Sequence, residues 1–141
     1  MITNRRKIRI EWGDCDPAGI VYFPRYFAFF DDATAAIFEA VGLKKSELIK
    51  KYDIVGIAAV DVRAQFYIPS VFGDDVEIET SIGKWGRSSF EVRHRLTNET
   101  QLLADGTETR VWVGRDPGNP AAAALQPREI PKDLIERFGK D

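Results

Sequence analysis

Two carboxylates and two glycines crowd one short stretch of the chain, Trp12-Gly13-Asp14-Cys15-Asp16-Pro17-Ala18-Gly19-Ile20-Val21-Tyr22-Phe23-Pro24. Pro17 and Gly19 mark it as a loop, and Pro24 suits the first position of a following helix. The start of a helix offers N–H groups without partners and a partial positive charge. Such donors suit a carbonyl oxygen on which charge is developing. A carboxylate beside them can serve as nucleophile or general base, and Gly19 lets the backbone approach a ligand closely or take a positive φ. Together these suit a carboxylate working beside an oxyanion hole. Asp14 and Asp16 read equally well as turn and capping residues, because short acids bond their own backbone in turns.

Other reactive residue types weigh less. Cys15 lies between two carboxylates, which oppose thiolate formation, so it reads as a packing residue. His94 is the sole histidine; it falls in phase with Phe90 and Val92 on a strand and reads as structural. With one histidine and one cysteine, a zinc site lacks its usual nitrogen and sulfur ligands, and no metal or cofactor is expected. Asp31 and Asp32 sit in the helix after Phe30, Asp32 toward solvent. Asp61 interrupts an apolar strand and reads as lying on its exposed face. Lys84, Arg87 and Arg128 are candidates for phosphate contact by charge alone.

The elements that must hold this stretch follow from periodicity. Ile8, Ile10 and Trp12 alternate with charged residues, which predicts a strand over 6–12. Tyr26, Phe30, Ala33, Ile37 and Val41 step by three and four, one face of a helix from Pro24. Gly42 closes it as a left-handed residue. A short helix over 46–52 follows, with Ser46 as N-cap. Strands are then predicted over 54–68, 76–82, 90–96 and 103–113. Pro69 ends the first of them, with turns at 73–75 and 97–101. The segment 114–126 is Pro-, Gly- and Ala-rich and reads as an irregular crossing containing the Ala121–Ala124 run. Residues 132–138 read as a terminal helix. The last three strands form an antiparallel meander. One long helix against one antiparallel sheet is an α+β layer pair.

The whole chain is 141 residues, 44% hydrophobic and 30% charged, with net charge −2. That is one domain of ordinary globular composition, and the totals lend no support to a nucleic-acid binder. The polar, basic residues 1–7 do not resemble a signal peptide. No apolar run approaches the ~20 residues of a membrane helix, and the single cysteine forms no internal disulfide. A cytoplasmic protein is expected.

The loop stretch closely resembles the signature of the 4-hydroxybenzoyl-CoA thioesterase family, G-D-x-D-P-A-G-I-V ahead of the central helix. Gly13, Asp14, Asp16, Pro17, Ala18, Gly19, Ile20 and Val21 match without a gap. The resemblance extends to Pro24, Asp31, Asp74-Asp75, Trp85, Arg87, Ser89, Phe90 and Arg93-His94, and fades after about Val113. It implies a hotdog fold over 1–141, a five-stranded antiparallel sheet wrapped around one long helix, and an acyl-CoA thioesterase. By position, Asp16 matches the aspartate that attacks the thioester or activates water. Phe23 stands where a backbone N–H polarises the carbonyl, with Gly19 shaping the loop. Asp31 matches the acid that accepts a hydrogen bond from a ring hydroxyl. Arg87, Ser88 and Ser89 occupy the stretch that contacts the CoA nucleotide and phosphates. The family carries a denser basic run there, where this chain has Gly86 and Ser88 around Arg87. An aliphatic acyl-CoA thioesterase and a non-catalytic acyl-CoA binding module are the alternatives. The resemblance also implies a dimer or dimer of dimers, with the long strand 54–68 pairing with its twin.

Overall fold

A computed structural model describes residues 1–119 and 124–139; part of the Ala121–Ala124 run lies outside them. Strand β1 spans Thr3–Arg9, followed by a short 3-10 turn at Trp12–Asp14. Helices α1 (Pro24–Ala40) and α2 (Lys45–Tyr52) come next. Strands β2 (Gly56–Phe66), β3 (Asp75–Gly83), β4 (Ser89–Asn98) and β5 (Gln101–Arg115) follow. The chain closes with a short strand β6 (Leu125–Pro127) and helix α3 (Lys132–Arg137). The sheet order is β1-β3-β4-β5-β2, antiparallel throughout, and β6 pairs with the end of β5. The sheet is open, with β1 and β2 at its two edges, and wraps α1 as the hotdog resemblance implies.

Helix α1 lies on the inner face because its sequence leaves it no other stable place. Tyr26, Phe29, Phe30, Ile37 and Phe38 are all buried, and each large apolar side chain gains roughly 1.5–3 kcal/mol on leaving water. Toward its start, α1 packs with Ile10, Val21, Ile78, Leu96 and Ala104. Toward its end, Ile37 and Phe38 join Leu48, Phe90, Trp112, Leu134 and Phe138 in a second cluster. Gly42 takes φ +86° and ends the helix. Gly106 faces Phe30, and a Cβ there would lie 2.5 Å from the ring. The helix therefore approaches the sheet more closely than any other residue would allow.

Several boundaries differ from the sequence expectation. The first strand ends at Arg9 rather than Trp12. Ile10 is buried, but the Glu11–Asp14 reciprocal cap turns the chain outward, leaving Trp12 77% exposed. Helix α2 begins at Lys45 with Lys44 as N-cap, so Ser46 lies in its first turn and caps nothing. Docking of Leu48, 3% exposed, sets that register. The strand expected over 54–68 is shorter, and the last meander strand is longer, reaching Arg115. The expected irregular crossing instead returns as β6, with residues 120–123 outside the described set.

Candidate active site

The loop after β1 is a tight hairpin. The Asp16 amide donates to the Ile20 carbonyl at 2.9 Å, and Gly19 donates back to the Asp16 carbonyl at 2.9 Å. Pro17 sits at the second turn position, where its φ is pre-set. Gly19 has φ +83°, the left-handed residue that closes a three-residue hairpin turn with a bulge. The Asp16 Oδ1 accepts the Ala18 amide at 2.8 Å. This fixes the side chain and leaves Oδ2 without a partner among the described residues. Cys15 and Val21 bridge the base of the hairpin, and Ile20 bridges to Val71. Val21 donates to the Ser70 carbonyl at 2.9 Å, tying the hairpin to the β2–β3 connection.

Asp14 is a strut. It is 6% exposed; its Oδ2 accepts the Glu11 amide at 2.9 Å, and its Oδ1 accepts Arg25 Nε at 3.0 Å. Its carbonyl accepts the Tyr22 amide at 2.8 Å. Arg25, on the first turn of α1, thereby locks the loop to the helix start. Sequence reasoning passed over Arg25, because an exposed arginine carries no motif.

Phe23 is the N-cap of α1 and already helical, at φ −53° and ψ −34°. Pro24 has no N–H, Arg25 donates to Tyr22 and Tyr26 donates to Phe23. The Phe23 amide is thus the donor of the first turn that takes no backbone partner among the described residues. It follows the Asp16 hairpin directly. A fixed carboxylate and an open helix-start amide are groups of the kinds that acyl transfer uses as nucleophile or base and as oxyanion donor.

Asp31 lies further along α1, with its side chain 66% exposed. It borders a cavity of about 240 Å³ between α1, α2, β2 and β5. Phe38, Leu48, Ile49, Ile57 and Val113 make most of its wall apolar, and Thr34 and Arg110 add polar groups. Arg110 donates to Asp31 Oδ1 at 2.9 Å, and its Nη2 and Nε reach Glu108 Oε2 at 2.6 and 2.9 Å. Burial pushes the Glu108 carboxyl up, but His94 and Arg110 outweigh it and hold it below its ordinary value. Burial works against the Arg110 charge, and the Glu108 and Asp31 carboxylates overcome that and raise its pKa. Sequence reasoning missed Glu108 and Arg110. Their signal was period two: both fall in phase with Trp112 on the inward face of β5.

The remaining candidates separate. Arg87, Ser88 and Ser89 sit where β4 begins, the sheet end at which β3 finishes, whereas the Asp16 hairpin abuts the end at which β3 starts. The nine residues of β3 put ~30 Å between those ends at about 3.3 Å per residue. One chain therefore does not bring Arg87 to Asp16. The Arg87 and Ser88 carbonyls accept the Ile130 and Trp112 amides at 2.8 and 2.7 Å, so the loop backbone is anchored. The Arg87 side chain is exposed. Arg128 is spent on the Asp53 and Arg115 carbonyls, and Lys84 lies 3.6 Å from Glu91. Asp61 pairs with Arg63 at 2.9 Å beside a bulge in β2. Cys15 packs against the inner cluster. His94 is buried, stacked on Phe30 and bonded to Thr80 and Glu108, a structural placement. Among the described residues no group of three or more His, Cys, Asp or Glu is arranged to hold a metal.

Comparison with known proteins places this geometry. The chain is 37% identical over 134 residues to the 4-hydroxybenzoyl-CoA thioesterase of Pseudomonas sp. strain CBS-3, covering 91% of this chain and 92% of that protein. The crystal structure of that enzyme superposes with a TM-score of 0.86 at 35% identity, covering 96% of this chain and 98% of the other. An aspartate-to-asparagine mutant of a 4-hydroxybenzoyl-CoA thioesterase, in complex with 4-hydroxybenzoyl-CoA, gives 0.85 at 34% identity with the same coverage. A gentisyl-coenzyme A thioesterase, BH1999, gives 0.78 at 32% identity, again over 96% and 98% of the two chains. The family model for the thioesterase-like superfamily matches residues 10–138. With the signature loop, the helix-start amide and the wrapped sheet all in place, the chain belongs to the thioesterase-like superfamily of thioester hydrolases.

Proposed function

We propose that this protein hydrolyses an aryl-CoA thioester, foremost 4-hydroxybenzoyl-CoA, to the free acid and CoA. The observation that carries the reading is Asp16 itself: a carboxylate fixed by its own turn, with one oxygen unpartnered, in a hairpin that feeds the open Phe23 amide. In the proposed sequence the Phe23 amide donates a hydrogen bond to the thioester carbonyl oxygen and stabilises the negative charge that develops on it. Asp16 attacks the carbonyl carbon and the C–S bond breaks, releasing the CoA thiolate. Water then cleaves the mixed anhydride and regenerates the carboxylate. In the variant sequence Asp16 takes a proton from water, which attacks directly. Neither route requires a metal or cofactor. Rapid quench with labelled substrate separates them: acyl label trapped on Asp16 establishes attack, and its absence at fast turnover establishes the base. Asp31, at the rim of an apolar cavity, is the acceptor for a ring hydroxyl.

The active unit in this reading is a homodimer, assembled further into a dimer of dimers, in the cytoplasm where CoA thioesters are handled. Edge strand β1 carries Arg5, Arg6, Lys7 and Arg9, charges that discourage pairing. Edge strand β2 instead exposes Val60 and Val62, a liability unless covered. Antiparallel pairing of β2 with its twin about a two-fold axis runs the partner's sheet in the opposite sense. The Asp16 end of one protomer and the Arg87 end of the other then lie at the same end of the joint sheet, which removes the ~30 Å offset along the strands. Arg87, Ser88 and Ser89 would thus meet the CoA of a site whose Asp16 belongs to the partner. No helix among the described residues is long and apolar enough to cross a membrane.

The test is hydrolysis of 4-hydroxybenzoyl-CoA, benzoyl-CoA and a short aliphatic acyl-CoA by wild type and Asp16→Asn. The hydroxybenzoyl thioester is expected to lead in kcat/KM. Asp16→Asn is expected to lose at least roughly 100- to 1,000-fold with an unchanged melting temperature. Preference for the aliphatic thioester keeps the reaction but removes the ring assignment. Binding without turnover makes the protein an acyl-CoA binding module.

A further inference from the structure

The proposed chemistry uses Asp16, the Phe23 amide and Asp31, and leaves a buried ionic chain without a task. Glu108 and Arg110 sit two residues apart on β5, both pointing inward. Glu108, His94, Thr34 and Thr80 are each 1% exposed, and Arg110 is 7% exposed. The chain runs without a break: Thr80 Oγ1 lies 2.8 Å from His94 Nδ1, His94 Nε2 2.9 Å from Glu108 Oε1, and Thr34 donates to Glu108 Oε1 at 3.0 Å. A carboxylate only accepts, so Nε2 of His94 carries the proton. Arg110 takes up the other Glu108 oxygen through two nitrogens, and its Nη1 donates to the Ile57 carbonyl at 3.1 Å.

Such a chain is a poor way to stabilise a core. Desolvating the ions largely cancels their attraction, and apolar residues of similar volume serve stability as well. What the chain achieves is a guanidinium with no freedom to move. The exposed member of the chain is Asp31. Its Oδ1 is held 2.9 Å from Arg110 Nη2, and its Oδ2 takes no partner among the described residues. Arg110 and Asp31 line the same cavity. A carboxylate on a helix surface ordinarily moves among rotamers in water, and its bond to a ligand hydroxyl then adds little discrimination. Pinned by an immobile arginine, it presents one oxygen in one place.

We propose that Arg110 is a specificity-determining positioning residue: fixed by Glu108 and His94, it holds the Asp31 carboxylate at the cavity rim so that acyl groups bearing a ring hydroxyl are favoured over those lacking it. The proposal rests on the aryl-CoA reading above. It differs from a structural role in its readout, because loss of fold lowers turnover of every substrate together, whereas loss of position changes their ratio.

The experiment measures kcat/KM for 4-hydroxybenzoyl-CoA and benzoyl-CoA on wild type, Asp31→Asn, Arg110→Met, Arg110→Lys and the pair Glu108→Gln with Arg110→Met. The paired variant is included because Arg110→Met alone strands a buried carboxylate, which threatens folding. The wild-type ratio is expected to favour the hydroxylated ring by roughly 10- to 100-fold, the worth of a hydrogen bond to a charged group. Arg110→Met, or the paired variant where the single one does not fold, is expected to bring the ratio down to that of Asp31→Asn. Arg110→Lys, which keeps the charge but not the fork, is expected to restore part of it. A wild-type preference that survives loss of Arg110 overturns the proposal alone. A wild type without any preference overturns the substrate reading and the proposal with it.

Discussion

Asp16 does two jobs with its two oxygens. One accepts the Ala18 amide and completes the turn, and the other, without a partner among the described residues, is the one the proposed reaction would use. Asp14, two residues earlier, spends both oxygens on Glu11 and Arg25 and is a strut. The distinction was not available from residue type, since both are aspartates of one loop and both matched the family signature. At the same scale, Glu108 makes an acid-stability prediction. His94 and Arg110 hold its carboxyl below the ordinary value despite burial. A depressed native pKa contributes stability that is complete above the unfolded value, about 4.3, and is lost as the pH falls through the native one. Thermal melts between pH 7 and pH 2.5 are expected to show wild type losing stability below about pH 4. Glu108→Gln is expected to start on the order of 3 kcal/mol less stable at pH 7 and to follow a flatter curve in acid. Parallel curves would remove Glu108 from the acid transition.

At the scale of elements, the contact between α1 and the sheet is the sensitive one. Phe30 covers Gly106 and stacks on His94, with ring centroids 4.8 Å apart. Asp31 follows Phe30 directly, so whatever displaces that ring tilts the carboxylate at the cavity rim. Gly106→Val is expected to destabilise the fold by roughly 1–3 kcal/mol through overpacking. It is also expected to lower turnover of the hydroxylated substrate more than that of benzoyl-CoA. A melting temperature equal to wild type would show that α1 rides further from the sheet than described. The amphipathic stepping of α1 and the alternation of β3 and β4 were legible in the sequence, because their apolar side chains mark the buried face, whereas β5 buries the phase of Glu108, Arg110 and Trp112. The Trp12 and Ser46 readings failed where a neighbour decides: the Glu11–Asp14 cap turned Trp12 out, and Leu48 docking drew Ser46 into the helix.

For the whole molecule, the separation of Asp16 from Arg87 along the sheet makes a shared site the central expectation. Light scattering is expected to give a mass of at least two chains at micromolar concentration. Co-expression of Asp16→Asn with Arg87→Ala, assayed at limiting substrate, distinguishes a site shared between protomers from one contained in each. In a shared site, half of the randomly formed dimers carry one intact site. Activity on 4-hydroxybenzoyl-CoA should then recover to roughly a quarter of wild type, above either parent. A mixture no more active than the average of its parents would confine Asp16 and Arg87 to one chain's site. The outer face of the sheet bears on assembly too. It carries Asp61, Arg63, Glu79, Glu91, Arg93 and Arg95 around one shallow depression. Burying such a face would mean desolvating paired charges, which favours the β2 edge over this face for the proposed pairing of protomers.

By itself the sequence determined the elements other than β6, their order and the tight loop that carries Asp16. Periodicity follows from which side chains leave water, and the tight Asp16–Gly19 turn follows from residues whose φ preferences leave few alternatives. The tertiary structure alone decided which charges meet. Glu108 and Arg110 lie 14 and 16 positions beyond His94 and more than 70 beyond Asp31 and Thr34. Only the folding of β5 beside β4 and beneath α1 brings them to hydrogen-bonding distance. It also decided that Arg87 and Asp16 stand at opposite ends of one sheet, since the direction in which antiparallel strands return is a property of their pairing and not of any residue in them.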